Sequence, residues 1–339
     1  MTNDIWQRTL SRRAMLRAAG IGGLAAVAAA CTGGTKPKPT TGTSGITGTS
    51  GATGSSSPAP EGSIAKLMQD ADEQLSLLTG LGDRAYDAIQ TGKSTYIFDL
   101  TSGPTSILQG GTPQLYVAKN ANDKALGPFP MQWSLFTGYD KTGDTSPKSL
   151  IPGIYWGEID IPSPGTWTFA AQATDGAKTG VGIGGGVVLG QDTVLAAVGT
   201  KAKPTPTPVA TTPDEIAKIC TRVPVDEMHY ISLDEAVKNG KPTVVSFATP
   251  KFCESMLCGP VVDEQILVFE KVGKDKANFI HVEEFPGGDV AKPAPAFLAW
   301  GFQSEPWVIV IDKDGVIQAR FLGPATADMI EAALNPLLS

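Results

Sequence analysis

The stretch Phe247 to Pro260, "FATPKFCESMLCGP", decides how the second half of this chain is read. It closes an apolar run, "PTVVSFATP" (242–250), whose length and β-branched content mark a buried strand. It opens onto "PVVDEQILVFEKVG" (260–273), which reads as a helix. At the junction stand Cys253 and Cys258, with four residues between them. They can be a working thiol pair, a structural disulfide or a metal clip. In one regular helix their Cα atoms would be roughly 8.6 Å apart and on different faces. A disulfide needs less than about 7 Å. A bridge therefore requires a non-helical loop or bulge, and Gly259 and Pro260 suit a helix that starts near them.

Upstream, "SLDEAVKNG" (232–240) reads as a short helix, with Ser232 and Glu235 at capping-box spacing and Gly240 placed to close it. Downstream, "ANFIHVEEF" (277–285) is a strand, "APAFLAWGF" (294–302) a helix and "PWVIVID" (306–312) a strand. "DKDG" (312–315) is a tight turn and "VIQARFLG" (316–323) pairs back. "TADMIEAALNPLL" (326–338) is a last amphipathic helix with Thr326 as N-cap and Asp328 in the positive first turn. The order from Pro242 is β-α-β-α-β-β-α.

That order, with its landmarks, resembles the thioredoxin superfamily over 217–338. "FATPKFC" puts Cys253 where the family keeps its nucleophilic thiol. Pro260 stands where thioredoxins have a helix-kinking proline, and Pro306, in "SEPWVIVID", where they have a cis-proline facing the thiols. The resemblance implies thiol–disulfide exchange. Cys253 is the attacking thiolate, activated by a helix N-terminus, and Cys258 resolves the mixed disulfide. Glu305, Pro306 and Trp307 line a substrate groove, and the partners are extracytoplasmic protein thiols or disulfides. Thioredoxins separate their cysteines by two residues, so the spacing here departs from the family. Aligning "CGP" (258–260) with the thioredoxin "CGPC" would leave a single-thiol site, but the distance to "VVDE" favours Cys253 as the equivalent. A Cys253–Cys258 disulfide is the expected pairing in an oxidising compartment.

Cys220, in "IAKICTRVP", is either a third redox partner or an ordinary half-buried cysteine. Copper-delivery members of the superfamily combine two widely spaced cysteines with a distant histidine. Cys253, Cys258 and His281 could imitate that set, while a strand histidine is more often structural. No cofactor motif is read and no metal is assigned. A rival from another class is a non-catalytic binding or assembly lipoprotein whose cysteines only staple the fold.

Between residues 64 and 200 the pattern is of short strands: "STYIFDLTS", "PQLYVAKN", "MQWSLFTGY", "GIYWGEIDI", "GTWTFAAQAT" and "VGIGGGVVLG". They are preceded by a short helix over Ile64 to Leu78. Their spacing implies an antiparallel β-sandwich, immunoglobulin-like in architecture. Trp133, Trp156 and Trp167 are read as core ahead of a ligand platform. A Pro/Thr-rich linker, 201–215, separates this unit from the thioredoxin-like one, 216–339. The fold class is thus multidomain, a β-sandwich followed by an α/β domain. The chain is also similar to bacterial extracytoplasmic proteins that join these two units.

The N-terminus reads as address rather than fold. "SRRAML" before an Ala/Gly-rich run resembles a twin-arginine export signal over residues 1–30. "AAAC" resembles a lipoprotein box that makes Cys31 the lipidated residue, with Ala28 where Leu is commoner. A plain cleavage site with an incidental cysteine is the alternative. Residues 31–63 are Gly, Thr, Ser and Pro, a tether that cannot bury enough surface to order itself. The expected location is the cell envelope, at the outer face of the cytoplasmic membrane. The formal charge is −7; the first thirty residues carry four arginines against one aspartate, so the remainder stands at −10. That acidity argues against nucleic acid as a partner.

Overall fold

The computed structural model describes residues 58–79, 89–103, 106–138, 151–175, 178–253 and 255–339. The expected export signal, the Cys31 lipidation site and most of the tether lie outside the described residues. Among the described residues no helix is long and apolar enough to cross a membrane.

The N-terminal unit begins with helix α1 (Ile64–Asp70), N-capped by Ser63, whose hydroxyl accepts from the Lys66 amide. Nine strands follow: β1 (Glu73–Thr79), β2 (Gly92–Ser102), β3 (Ser106–Ile107), β4 (Gln114–Ala118), β5 (Leu126–Pro130), β6 (Gln132–Leu135), β7 (Gly153–Ile161), β8 (Gly165–Asp175) and β9 (Lys178–Val188). The helix read over 64–78 stops at Asp70. Beyond it Leu75 and Leu77 point inward while Gln74, Ser76 and Leu78 are exposed, a period of two that makes strand. Strand β1 has a decisive place, parallel to β9 on one side and antiparallel to β2 on the other. It joins all the strands into one hydrogen-bonded run, β5-β4-β8-β9-β1-β2-β7-β6, with β3 on β2. The β-rich expectation holds, but one continuous run replaces the two separate, wholly antiparallel sheets of an immunoglobulin-like sandwich. Leu115, Phe98, Leu100, Tyr155 and Phe169, from strands across this run, belong to one buried cluster. Tyr96 stacks on Phe169 across it, ring centroids 4.7 Å apart. Trp156 and Trp167 are buried and Trp133 packs against the same cluster, as core residues do.

The C-terminal unit holds α2 (Pro213–Ile216), α3 (Leu233–Ala236), β10 (Thr243–Ala248), α4 (Cys258–Val272), β11 (Asn278–Glu283), α5 (Pro295–Trp300), β12 (Trp307–Ile311), β13 (Ile317–Leu322) and α6 (Ala327–Leu334). The strand order is β11-β10-β12-β13. Strands β10 and β11 are parallel, and the other two pairings are antiparallel. This is the arrangement that the thioredoxin resemblance implies. Every residue of β10, β11 and β12 is buried. One face packs on α4 and α6 through Val244, Val308, Val310, Val262 and Met329. The other packs on α3 and α5 through Phe247, Ile309, Leu233 and Trp300. Helices on both faces explain why these strands read as unbroken apolar runs rather than alternations. Of the linker expected over 201–215, residues 202–211 run without helix along this unit and the last three enter α2; the Ala202, Thr207 and Ala210 amides donate to Gly315 O, Ser232 Oγ and His229 O, each at 2.9 Å. Ser232 is the N-cap of α3, but its hydroxyl is used by Thr207 and Asp234, so no capping box forms.

One hydrophobic cluster spans the two units. Ile154 and Trp156 of β7 lie in the same cluster as Val261 and Val262 of α4. Gly138 meets α4 so closely that a Cβ there would sit 2.6 Å from the Asp263 carbonyl carbon. One buried carboxylate ties the seam. Glu264 accepts from the Thr137 amide, from the Gly138 amide at 2.6 Å and, through its second oxygen, from the Ala327 amide at 2.8 Å. The last bond caps α6, whose own Thr326 hydroxyl makes no cap bond. Burial is the main influence raising the Glu264 pKa, opposed by these three amides. Bonds to a charged group contribute about 1.5–3 kcal/mol each, partly offset by burying the charge. Glu264→Ala should therefore lose about 2–4 kcal/mol in denaturant unfolding. A loss within the scatter of ordinary surface substitutions would mean that the seam does not depend on this residue.

Candidate thiol site

Strand β10 ends at Ala248, and the chain turns at once. The Thr249 carbonyl accepts from the amides of Phe252 (3.2 Å) and Cys253 (3.1 Å), and Cys253 O accepts from Met256 N (3.3 Å). Met256 has φ +57°, which breaks any helical path, and Leu257 is the N-cap of α4. Cys253 therefore lies in a loop and Cys258 is the first residue of the helix. This is the non-helical separation that the spacing demands, although the helix starts two residues before Pro260.

The two sulfurs lie within 4.8 Å of each other, and the Glu305 carboxylate completes the group. Both cysteines are thiols, so the expected disulfide is not formed in this structure. The Cys253 sulfur instead accepts from the Cys258 amide at 3.3 Å and meets Ser255 Oγ at 3.2 Å. Cys253 is half-buried, whereas Cys258 is fully buried.

These surroundings drive the two thiols apart. A hydrogen bond from the Cys258 thiol lowers the Cys253 pKa to about 7, assisted by Ser255 and the Cys258 amide and opposed by burial and the Glu305 charge. Burial raises the Cys258 pKa well above its ordinary value, and the neighbouring Cys253 adds to this. A depressed thiol pKa means that the thiolate gains population as pH rises through the folded value. The rate of iodoacetamide modification at Cys253 should thus climb between pH 6 and 8 with a midpoint near 7, followed by mass spectrometry of the modified peptide. A midpoint near 9, the ordinary thiol value, would show that the Cys258 contact does not stabilise the thiolate.

Of the residues expected to line a groove, only Glu305 is partly exposed. The Glu305–Pro306 peptide is cis, as the resemblance implies, but Pro306 is buried and its carbonyl accepts from Gly323 N at 2.8 Å. Trp307 is 1% exposed, stacked on Phe302 with ring centroids 4.5 Å apart and with the Arg320 guanidinium 5.8 Å from its ring. It belongs to the core, because a strand entering a sheet covered on both faces hides every side chain. The copper-like set is not assembled either. His281 stands in a separate buried cluster with Cys220, Asp226 and His229, and Cys220 faces that cluster rather than the pair.

Glu284 was not anticipated. It follows β11 and is 7% exposed. Burial raises its pKa to about 8, and a charge and hydrogen-bond interaction with Glu305 adds to the effect. The site thus holds a carboxyl pair beside Cys253 that can keep a proton near neutral pH. The signal lay in "HVEE", where two acids follow a largely apolar strand pattern.

No protein-family model matches the sequence, and no curated protein matches it. Three solved structures are similar over part of it. One is a thioredoxin-like superfamily protein, with 20% identity, 32% of this chain and 86% of that chain covered, and a TM-score of 0.24. Another is a secreted thiol-disulfide isomerase from Corynebacterium glutamicum, with 15% identity, 32% and 75% covered, and a TM-score of 0.25. The third is a thioredoxin-family thiol:disulfide interchange protein from Chlorobium tepidum TLS, with 20% identity, 41% and 100% covered, and a TM-score of 0.25.

Proposed function

We propose that this protein exchanges thiols and disulfides outside the cytoplasm, using Cys253 and Cys258. The observation that carries this reading is the asymmetry of the pair: a half-buried thiol at about 7 beside a fully buried one held protonated. The Cys253 thiolate attacks one sulfur of a substrate disulfide. That S–S bond breaks, a mixed disulfide forms, and the first substrate thiolate leaves. Cys258 then gives up its proton, for which the Glu284–Glu305 pair is the neighbouring acceptor, and attacks the Cys253 sulfur. The second substrate thiolate leaves. Two electrons have passed from the pair to the substrate, and a Cys253–Cys258 bond remains. The reverse sequence oxidises a dithiol.

The binding-module rival predicts a buried staple. Partial exposure of Cys253 supports exchange instead, by the criterion that a working thiol must be reachable. Incubating the reduced protein with an excess of a disulfide peptide tests the reading. Peptide mapping should recover a Cys253–Cys258 bond together with released peptide thiol. A Cys220 bond to either residue, or no released thiol, would overturn it.

The same reading includes a lipid anchor at Cys31 and export through the twin arginines, motivated by "SRRAML", "AAAC" and the polar tether. Cys31→Ala should move the folded protein from the membrane fraction to the soluble one in cell fractionation. A folded Cys31→Ala protein that stays with the membrane would refute the anchor.

A further inference from the structure

We propose that Cys220, Asp226, His229 and His281 form a four-coordinate site for a divalent transition-metal ion, Zn²⁺ by its chemistry. The four ligand atoms all lie within 4.8 Å of one another, and each residue is no more than 6% exposed. The separations among Cys220 Sγ, Asp226 Oδ2 and His281 Nδ1 are close to those of one face of a tetrahedron. Zn–N and Zn–O bonds of about 2.0–2.1 Å and a Zn–S bond of about 2.3 Å require ligand–ligand edges of about 3.3–3.6 Å. Here Cys220 Sγ is 3.5 Å from Asp226 Oδ2 and 3.8 Å from His281 Nδ1. The fourth group, His229, stands with its Nε2 3.4 Å from the other carboxylate oxygen, Asp226 Oδ1. His281 Nδ1 and Asp226 Oδ2, at 2.9 Å, need separate by only a few tenths of an ångström.

Two further observations point to an ion, and the charge balance admits one. First, His229 Nε2 is buried and has no aligned hydrogen-bond partner in the structure, although it faces this group. Second, the remote nitrogen of His281 is held outside the cluster by the Ala248 carbonyl at 3.3 Å. With that nitrogen donating, Nδ1 presents its lone pair inward, the outer-shell arrangement that metal-bound histidines use. The Met228 amide likewise orients Asp226 by donating to Oδ1 at 3.1 Å. The charges also close with a divalent ion. A thiolate and a carboxylate with two neutral imidazoles carry two negative charges, which a divalent cation cancels in a place where uncompensated charge is expensive. A single thiolate among imidazole and carboxylate ligands suits Zn²⁺ better than Cu(I), which selects softer sets.

The backbone brings these residues together from two directions. Cys220, Asp226 and His229 come from the segment between α2 and α3, and His281 from the middle of β11. The Met228 carbonyl accepts from the His281 amide at 2.7 Å, pinning the segment to the strand. The site lies directly behind the thiol loop: Ala248 ends β10, and Thr221 Oγ1 accepts from the Lys251 amide at 3.3 Å. A bound ion would therefore brace the loop that carries Cys253 without touching either redox thiol.

Cobalt substitution tests this on the full reduced chain, with Co²⁺ alone as the probe and a phosphine keeping the thiols reduced. The background is the Cys253→Ser/Cys258→Ser variant, in which Cys220 is the remaining cysteine of the described part. Titration should give a thiolate-to-cobalt charge-transfer band and the visible bands of tetrahedral Co²⁺, saturating at one ion per chain and displaced by Zn²⁺. In the same background Cys220→Ser should abolish the charge-transfer band. His229→Gln and His281→Gln should each weaken cobalt binding by more than about 100-fold, beyond what loss of an outer-shell partner produces. Should Cys220→Ser fail to fold, the background titration still decides. Absence of the thiolate band there at saturating Co²⁺ overturns the site. So does a band retained in a folded Cys220→Ser chain, or a wild-type band that disappears when only Cys253 and Cys258 are replaced.

Discussion

Cys253→Ser is expected to abolish disulfide exchange, and Cys258→Ser to arrest it halfway. The reason is the order of steps that the two environments impose. Cys253 is the half-buried thiol lowered to about 7, so near neutral pH it carries far more thiolate than an ordinary thiol and is the one placed to attack. Cys258 is fully buried and held protonated, so it enters only after the first bond has formed beside it. Serine at 253 leaves no nucleophile that substrate can reach, and turnover of a protein disulfide with a dithiol donor should fall to the uncatalysed rate. Serine at 258 leaves the first attack intact. A mixed disulfide through Cys253 should accumulate to about one per chain and be visible by intact mass. Cys253→Ser should destabilise the reduced protein by no more than about 1 kcal/mol, and Cys258→Ser, which puts a hydroxyl at a fully buried position, by about 1–3 kcal/mol. Equal, large losses of stability without exchange by the wild type would instead mean that the cysteines serve the fold.

The largest loss of stability is expected at Arg222 and Asp263. They form an ion pair, both at most 2% exposed, with Arg222 Nη2 and Nε donating to Asp263 Oδ1 at 2.7 and 3.1 Å. Arg222 also donates to the Pro224 carbonyl, so it clamps the 220–229 segment onto α4, the helix that starts at Cys258. Removing one partner leaves a buried charge without its main compensation, which costs about 3–5 kcal/mol. Arg222→Ala should show that loss in denaturant unfolding. Replacing both residues by apolar groups of similar volume should recover most of it, because the pair's attraction is largely consumed by its own desolvation. An Arg222→Ala loss below about 1 kcal/mol would indicate that Asp263 is compensated elsewhere.

Much of the C-terminal unit was legible because its signals are local. Apolar runs such as "PTVVSFATP", the turn at "DKDG" and the helix at 326–338 each follow from short-range preferences, and the structure has them as β10, the β12–β13 turn and α6. The need for a non-helical loop between Cys253 and Cys258 followed from helix geometry alone, and Met256 at φ +57° supplies it. What local pattern misjudged is equally specific. Residues 73–79 fit both a helical and an alternating reading, and only the pairing of β1 with β2 and β9 selects strand. Trp307 looked like a groove residue beside Pro306 until the packing of Phe302 and Arg320 closed over it. The capping box at Ser232 failed because a side chain's partner is decided by whatever backbone arrives next to it, here Thr207 from the linker.

The sequence by itself determined the order of elements in the C-terminal unit, the position of a cysteine pair at a strand-to-helix junction and the requirement that the pair be separated by a loop. It could not decide which of its titratable groups meet. Cys220, Asp226 and His229 are within ten residues of one another, but His281 is more than fifty residues further on, and it meets them where the 220–229 segment is bonded to β11 through the His281 amide and the Met228 carbonyl. Glu284 and Glu305 become neighbours in the same way, across the ends of β11 and β12. The physical reason is range. Helix, strand and turn preferences act over a few residues, whereas burial, charge compensation and pKa depend on distances that exist only after the sheet has formed.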